Sequence, residues 1–364
     1  MDIGFLKGVY AQPGPFATVY LVTSHASEDQ ADARALRWRA ERERLAEAGA
    51  DDATLDAVAA VLPRERAAGE RGRVVCASGG AVLLDDVLYD PVEAAARWAP
   101  LPDLLPYLTE RAGRLPYTSV LVDRQGADLV SASVAGIEAE AQIDADGHPL
   151  TKVRGGDDAN KRYHRRVEGV WDDVAERVAG ELTRQVLRSA PEVVVLGGDP
   201  QMRGLVLRHL DPRVDPLVVT TDAGARGLGA AGEPLSAELA DAVRAKAAER
   251  GDAVVSAYAE ARGRDGAATS GLAATVEALR RAQVDTLLLT AATRDTFLYI
   301  GRDPQALGLT EDEVRALGET GVTRTTADAA LLRAAAATDA RLHVPERDDP
   351  PLDDGVGALL RYTD

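Results

Sequence analysis

The sequence predicts an α/β protein in three segments. Three observations carry this: short apolar, β-branched runs alternate with amphipathic helical stretches; a proline cluster interrupts the periodicity at 91–116; and a glycine run interrupts it again at 224–232. At 364 residues the chain has room for two or three domains. The breaks place them at 1–112, 113–229 and 230–364: an N-terminal α/β domain, an α/β middle domain and a small α/β C-terminal domain.

In the first segment Phe16 to Thr23 follows a Gln-Pro-Gly-Pro turn and is dense in β-branched and aromatic residues, so it reads as a buried strand. Helices are expected over Glu28 to Ala48 and, after the cap-like Asp51 and Asp52, over Ala53 to Leu62. Arg73 to Tyr89 is two apolar runs parted by Ser78-Gly79-Gly80, a hairpin signal. Pro91, Pro100, Pro102, Pro106 and Pro116 then deny a long helix or a central strand.

The middle segment opens on a hairpin, Tyr117 to Asp123 and Asp128 to Val134, turning at Arg124-Gln125-Gly126-Ala127. After a loop from Lys152 to Asp158 comes a long helix with Val167, Val170, Trp171, Val174, Val178, Leu182 and Val186 as its apolar stripe. Glu192 to Leu196 is a short strand buried on both faces, Pro200 to Leu210 a helix, and Pro216 to Thr221 a further strand. The third segment holds a helix from Ser236 with Glu238 to Arg250 at its centre, then a helix over Ser270 to Arg281. Strands at Val284 to Thr290 and Thr296 to Gly301, helices near Glu311 to Leu317 and Ala327 to Ala337, and a strand at Ala340 to Pro345 complete it.

Charge and composition exclude several classes. With 42 Lys and Arg against 59 Asp and Glu, the formal charge is −17. Broad binding of duplex DNA is therefore not expected, because such binding replaces counterions with cationic side chains. The one cysteine, Cys76, rules out an internal disulfide and any multi-cysteine metal site, and its place among Val74 and Val75 makes it a small buried hydrophobe. No run approaches the ~18 apolar residues of a membrane span, and the N-terminus lacks a signal-peptide pattern, so a cytoplasmic protein with no membrane partner is expected.

Most motifs read as structure. Gly227-Leu228-Gly229-Ala230-Ala231-Gly232 matches GxGxxG, but Pro234 and Ser236 start the helix beyond the glycines and no acidic strand end follows, which leaves a linker. Gly197-Gly198-Asp199 lacks the Lys and Ser/Thr of a phosphate loop and reads as a tight strand-to-helix turn. His25, His148, His164, His209 and His343 form no pair at metal-ligand spacing, and no GxSxG elbow exists, so neither a metal nor another cofactor is expected.

One stretch departs from the rest. Lys152 to Arg166 (KVRGGDDANKRYHRR) carries six cations against two Asp in an otherwise acidic chain. Lys161, Arg162, Arg165 and Arg166 fall in the first turns of the expected helix, where the macrodipole disfavours cations by roughly 0.3–1 kcal/mol each, and Asp157 or Asp158 as N-cap offsets only part of that. Retained against the dipole, this face fits a polyanionic partner, with Lys152, Arg154 and the free amides about Gly155 and Gly156 for phosphates, and Tyr163 and His164 to stack on RNA bases.

A hairpin, a loop with Arg154-Gly155-Gly156 and an arginine-studded helix resemble the central domain of the class-1 peptide-release factors of archaea and eukaryotes. Gly271 to Thr290 and Asp353 to Tyr362 (DDGVGALLRY) resemble the C-terminal domain of that superfamily and of Pelota. Over 113–364 the chain is similar to the superfamily's bacterial branch, which includes Balon-type ribosome hibernation factors. The resemblance implies a tRNA mimic that enters the A site of the 70S ribosome, against 23S and 16S rRNA, with elongation factor Tu bound. The N-terminal 112 residues lack the Asn-Ile-Lys-Ser motif of stop-codon reading. Asp157 stands where the release factors carry the catalytic glutamine of Gly-Gly-Gln, and a carboxylate there opposes a developing oxyanion. No catalytic residue is therefore expected; the alternative is a peptidyl-tRNA hydrolase using Asp157 or Asn160 in the glutamine's stead.

Overall fold

The computed structural model describes residues 1–22, 28–62, 71–90, 93–134, 136–144, 157–222, 233–263, 267–345 and 351–362, with side chains throughout except over 28–36, 157–168 and 233–236. Packing divides the chain into two compact units, Gly113–Arg250, and Met1–Ala112 together with Gly251–Asp364.

The N-terminal part of the second of these begins with α1 (Lys7–Tyr10), β1 (Phe16–Val22), α2 (Glu28–Glu47), α3 (Asp52–Val61), β2 (Gly72–Ser78) and β3 (Ala81–Leu88). Asp51 caps α3, accepting from the Thr54 N–H at 2.8 Å, and Gly79 and Gly80, both at positive φ, close the β2–β3 hairpin. The proline-rich stretch holds two elements that the sequence did not announce, β4 (Ala95–Ala99) and α4 (Leu105–Ala112). β4 is short and takes the edge of an antiparallel sheet ordered β3-β2-β1-β4, the position where neighbouring prolines remove no ladder bond. Alternation along the strands splits two cores. Ala17, Val19, Val75 and Ala77 pack on Leu45, Leu55 and Val58, while Phe16, Tyr20, Val74 and Cys76 join the core of Leu104, Tyr107 and Leu108.

The unit Gly113–Arg250 contains β5 (Tyr117–Asp123), β6 (Gly126–Ser133), β7 (Gly136–Asp144), α5 (Asp157–Ser189), β8 (Val193–Gly198), α6 (Pro200–His209), β9 (Val218–Thr220) and the first part of α7 (Glu233–Arg262). The sheet runs β7-β6-β5-β8-β9; β5, β8 and β9 are parallel and the β5–β6 and β6–β7 pairs antiparallel. β8 is buried on both faces as its unbroken apolar run requires. Val194 and Leu196 meet Val174, Val178 and Leu182 of α5 and Met202 and Val206 of α6; Val193 and Val195 meet Leu239 and Val243 of α7.

The C-terminal part of the other unit adds β10 (Ala268–Ser270), α8 (Leu272–Arg280), β11 (Val284–Leu289), β12 (Phe297–Ile300), β13 (Leu307–Gly308), α9 (Glu311–Ala316), β14 (Thr323–Thr326), α10 (Ala327–Ala337), β15 (Arg341–His343) and β16 (Val356–Leu360). They form sheets ordered β10-β16-β11-β15 and β13-β12-β14. The N- and C-terminal parts share one apolar core: Ile3, Leu6, Tyr20 and Leu104 belong to the same cluster as Leu287 and the nearly all-buried α10. The fold is mixed α/β, as the alternation of patterns predicts.

Candidate RNA-facing site on α5

α5 grows out of the stripe read in the sequence. Val174, Val178, Leu182 and Val186 are buried against the sheet, and Trp171 packs at the edge of that core. Val170 departs from the expected stripe and is exposed, because helical spacing rotates it to the flank.

The helix begins at Asp157, so the loop expected to reach Asp158 ends sooner. Asp157 and Asp158 are then helical residues of the first turn, not caps, and a carboxylate there is favourable to the dipole. Lys161, Arg162, Arg165 and Arg166 begin at the second turn, where the dipole's influence has faded. The conflict read from the sequence is thus smaller than expected. Continuing the buried stripe back at ~3.6 residues per turn puts positions 160, 164 and 167 in line with it and positions 162, 165 and 166 on the opposite side. The positions of Lys161 and Tyr163 fall on the flanks, and that of His164 on the stripe line. Lys152, Arg154, Gly155 and Gly156, like the Gly227–Gly232 motif, lie outside the described residues.

The part of α5 that follows these turns is held by contacts that sequence spacing does not mark. Just past the middle of α5, Arg177 donates to the Asp144 carbonyl at the end of β7, 3.2 Å away. Nearer the basic turns, the guanidinium of Arg124, in the β5–β6 turn, stands 4.5 Å over the Trp171 ring. The same guanidinium is 3.3 Å from a carboxylate oxygen of Asp199, whose other oxygen caps α6 by accepting from the N–H groups of Gln201 (2.9 Å) and Met202 (3.2 Å). Asp172 lies 3.0 Å from His209 Nε2 and 3.8 Å from Arg208, at the end of α6. The His209 hydrogen bond, with the positive charge nearby, holds the Asp172 carboxyl below the usual carboxylate range. In the sequence Arg124 reads only as a turn residue and Trp171 only as one of the stripe; the spacing of a stripe carries no sign of which loop will cover it.

Gly197-Gly198-Asp199 is the tight strand-to-helix turn that the sequence predicts. Gly198 has φ +102°, and a Cβ on it would fall 2.1 Å from the Val122 carbonyl oxygen. Among the described residues no group of three or more His, Cys, Asp or Glu is placed to hold a metal ion.

Two Mycobacterium tuberculosis proteins, MT2704 and Rv2629, are each 32% identical to this chain over 361 residues, covering 98% of it and 96% of their own length. The model of bacterial archaeo-eukaryotic release factor family 2 matches residues 116–264. The chain belongs to this release factor family. The matched span takes in the five-stranded sheet, α5, α6 and α7. Among solved structures, archaeal Pelota from a ribosome-bound assembly covers 98% of this chain and 93% of its own at 14% identity, with a TM-score of 0.41. The archaeal translation termination factor reaches 0.27 at 15% identity over 98% of this chain and 96% of its own. At these scores the likeness positions no residue. Family membership makes the chain a release-factor-like translation factor, and no helix among the described residues is long and apolar enough to cross a membrane.

Proposed function

We propose that this release factor family member is a cytoplasmic ribosome-binding protein that occupies the A site as a tRNA mimic without hydrolysing peptidyl-tRNA. On this reading it acts with elongation factor Tu, as a Balon-type hibernation factor would, with segments 1–112, 113–229 and 230–364 as its domains. The observation that carries the reading is the basic run, six cations in fifteen residues of a chain with charge −17, ending on one side of a helix. Lys152, Arg154, Lys161, Arg162, Arg165 and Arg166 engage rRNA phosphates. Gly155 and Gly156 let the backbone approach a crowded RNA surface, and Tyr163 and His164 supply stacking surfaces. Asp157 contributes no catalysis: a carboxylate beside a tetrahedral oxyanion repels it.

The test is sedimentation with vacant 70S ribosomes, followed by release of a labelled peptide from a peptidyl-tRNA complex at matched occupancy. Wild type is expected to co-sediment and to release no peptide above background, and the Asp157→Gln variant to show whether the amide alone restores release. Release by the wild type that vanishes in that variant would establish the hydrolase instead; failure to co-sediment would remove the ribosomal reading altogether.

A further inference from the structure

We infer that residues 1–11 form a strap that locks 1–112 and 251–364 into one body, so that the N-terminal part does not move as an arm of its own. This lock goes beyond the ribosomal reading and stands without it. A 3-10 turn, Gly4–Leu6, leads into α1, and Ile3, Leu6 and Val9 recur at three along it. All three are buried, and the turn and α1 both lie against α10 of the C-terminal part. β15 holds the chain ahead of the turn: the Leu342 N–H donates to the Met1 carbonyl at 2.9 Å, and Asp2 bridges antiparallel to Arg341. Lys7 adds a hydrogen bond to Asp339 at 2.6 Å.

The strap's other contacts go to the N-terminal part. The Phe5 ring meets Tyr107 of α4 edge-on with centroids 6.4 Å apart, and the Arg111 guanidinium stands 4.7 Å over Phe5. α1 also touches β3. Burial, then the neighbouring Cys76 of β2 and Asp328 of α10, pushes the hydroxyl of Tyr10, at the end of α1, above its ordinary range. One short segment therefore holds both parts. A second tie is independent of it. Arg294, ahead of β12, donates to the Asp103 carboxylate at 2.6 Å, and Asp103 is buried just ahead of α4. β1 holds Asp103 in turn: Tyr20 Oη donates to its carbonyl at 2.8 Å, and Thr18 Oγ1 accepts from its N–H at 3.2 Å.

Parts of a chain move against each other when the surface between them is small and polar, and stay fixed when it is large and apolar. Here the cluster that holds Ile3 and Leu6 also holds Leu104 and Leu108 of one part and Leu279 and Leu287 of the other. Moving the N-terminal part alone would open that core and strip Asp103 of its partner, and a buried charge left unpaired is strongly unfavourable. The chain leaves this body at Ala112 and re-enters it at Gly251, inside α7. Where the resemblance implies three domains, the first and the last are thus coupled. Surfaces on the two parts reach a partner at a fixed spacing, without the ordering cost of a free arm.

Hydrogen exchange on the full chain tests the strap. Leu6→Ala removes a side chain buried in the shared core and no charge. The slowest amides of β2, in one part, and of β11, in the other, are expected to speed up together by about tenfold or more, because a single cooperative body opens as one. Acceleration in one strand only, or in neither, would overturn the strap. Should Leu6→Ala leave neither strand protected, Ile3→Val, a smaller deletion in the same strap, carries the same comparison. Spin labels on Glu47→Cys and Asp312→Cys, both exposed and one in each part, are expected to give one narrow distance in the free protein and the same distance on vacant 70S ribosomes. A broad distribution in the free protein, or a second distance on the ribosome, would overturn the single body. The exchange rates and the free-state distance decide the matter even if the protein fails to bind ribosomes.

Discussion

Gly198 and Cys76 are fixed by opposite demands, one of backbone and one of burial. At Gly198 the chain leaves β8 at φ +102°, and the adjacent Val122 backbone leaves no space for a methyl group. Gly198→Ala therefore has to move β5 against β8, and urea denaturation is expected to show a loss of well over ~1 kcal/mol. Cys76 lies fully buried in β2, and burial pushes its thiol up to about 12, opposed weakly by a hydrogen bond with Thr18. At pH 8 only ~10⁻⁴ of such a thiol is ionised, so a disulfide reagent is expected to label it at the rate of unfolding and not at that of a free cysteine. Rapid labelling of the native protein would place Cys76 outside the core. Both roles were legible in the sequence: Gly197-Gly198-Asp199 between a β-branched run and Pro200 spells a turn with a cap, and valines flank the cysteine. The Arg124–Trp171 contact was not, because it depends on which turn the topology brings over the helix.

At the scale of elements, what repeats was readable and what depends on neighbours was not. The α5 stripe, the β2–β3 hairpin and the doubly buried β8 follow from period and composition. β7 carries a legible alternation, Ile137, Ala139, Ala141 and Ile143 against Glu138, Glu140, Gln142 and Asp144. Its inward residues are few and partly small, and only Ala141 and Ile143 of this edge strand pack on the core. β4 and α4 were hidden by prolines whose cost vanishes at a sheet edge and beside a helix start. α10 shows a further dependence on context. Its Asp328, 1% exposed, lies in the helix's first turn within a core shared with Tyr10. Burial, reinforced by the charge of Asp103, raises its carboxyl above the usual range against the pull of Thr326 and Arg294. A carboxyl whose folded pKa exceeds its unfolded value near ~3.9 binds its proton more tightly when folded. Its contribution is complete below that unfolded value and is lost as pH rises through the folded one. Asp328→Asn removes this dependence, so the melting temperature of the variant should gain on the wild type as pH rises from 4 toward neutrality and then hold a constant lead. A difference independent of pH would show that Asp328 ionises freely.

For the molecule as a whole, the decisive quantity is the contrast between a net charge of −17 and a local run of six cations. A protein this acidic is repelled by a polyanion at long range, so binding must be won at short range within a Debye length of ~8–10 Å. The six cations Lys152 to Arg166 set an upper limit on the phosphates engaged, and the salt slope on ribosomes is expected to be no steeper than about −5. A basic ribosomal protein spread over rRNA would exceed that. Replacing Arg162, Arg165 and Arg166 together by Glu reverses three charges on the side of α5 away from its buried stripe, and should abolish co-sedimentation at 100 mM salt. Because these positions lie beyond the first helical turn, relief of a dipole conflict no longer predicts a stability gain, and the thermal midpoint should stay close to that of the wild type. A slope steeper than about −5 would mean that cations elsewhere in the chain carry the contact. A triple variant that bound with undiminished affinity would reduce the basic turns of α5 to a solvated face and leave the ribosome to another surface.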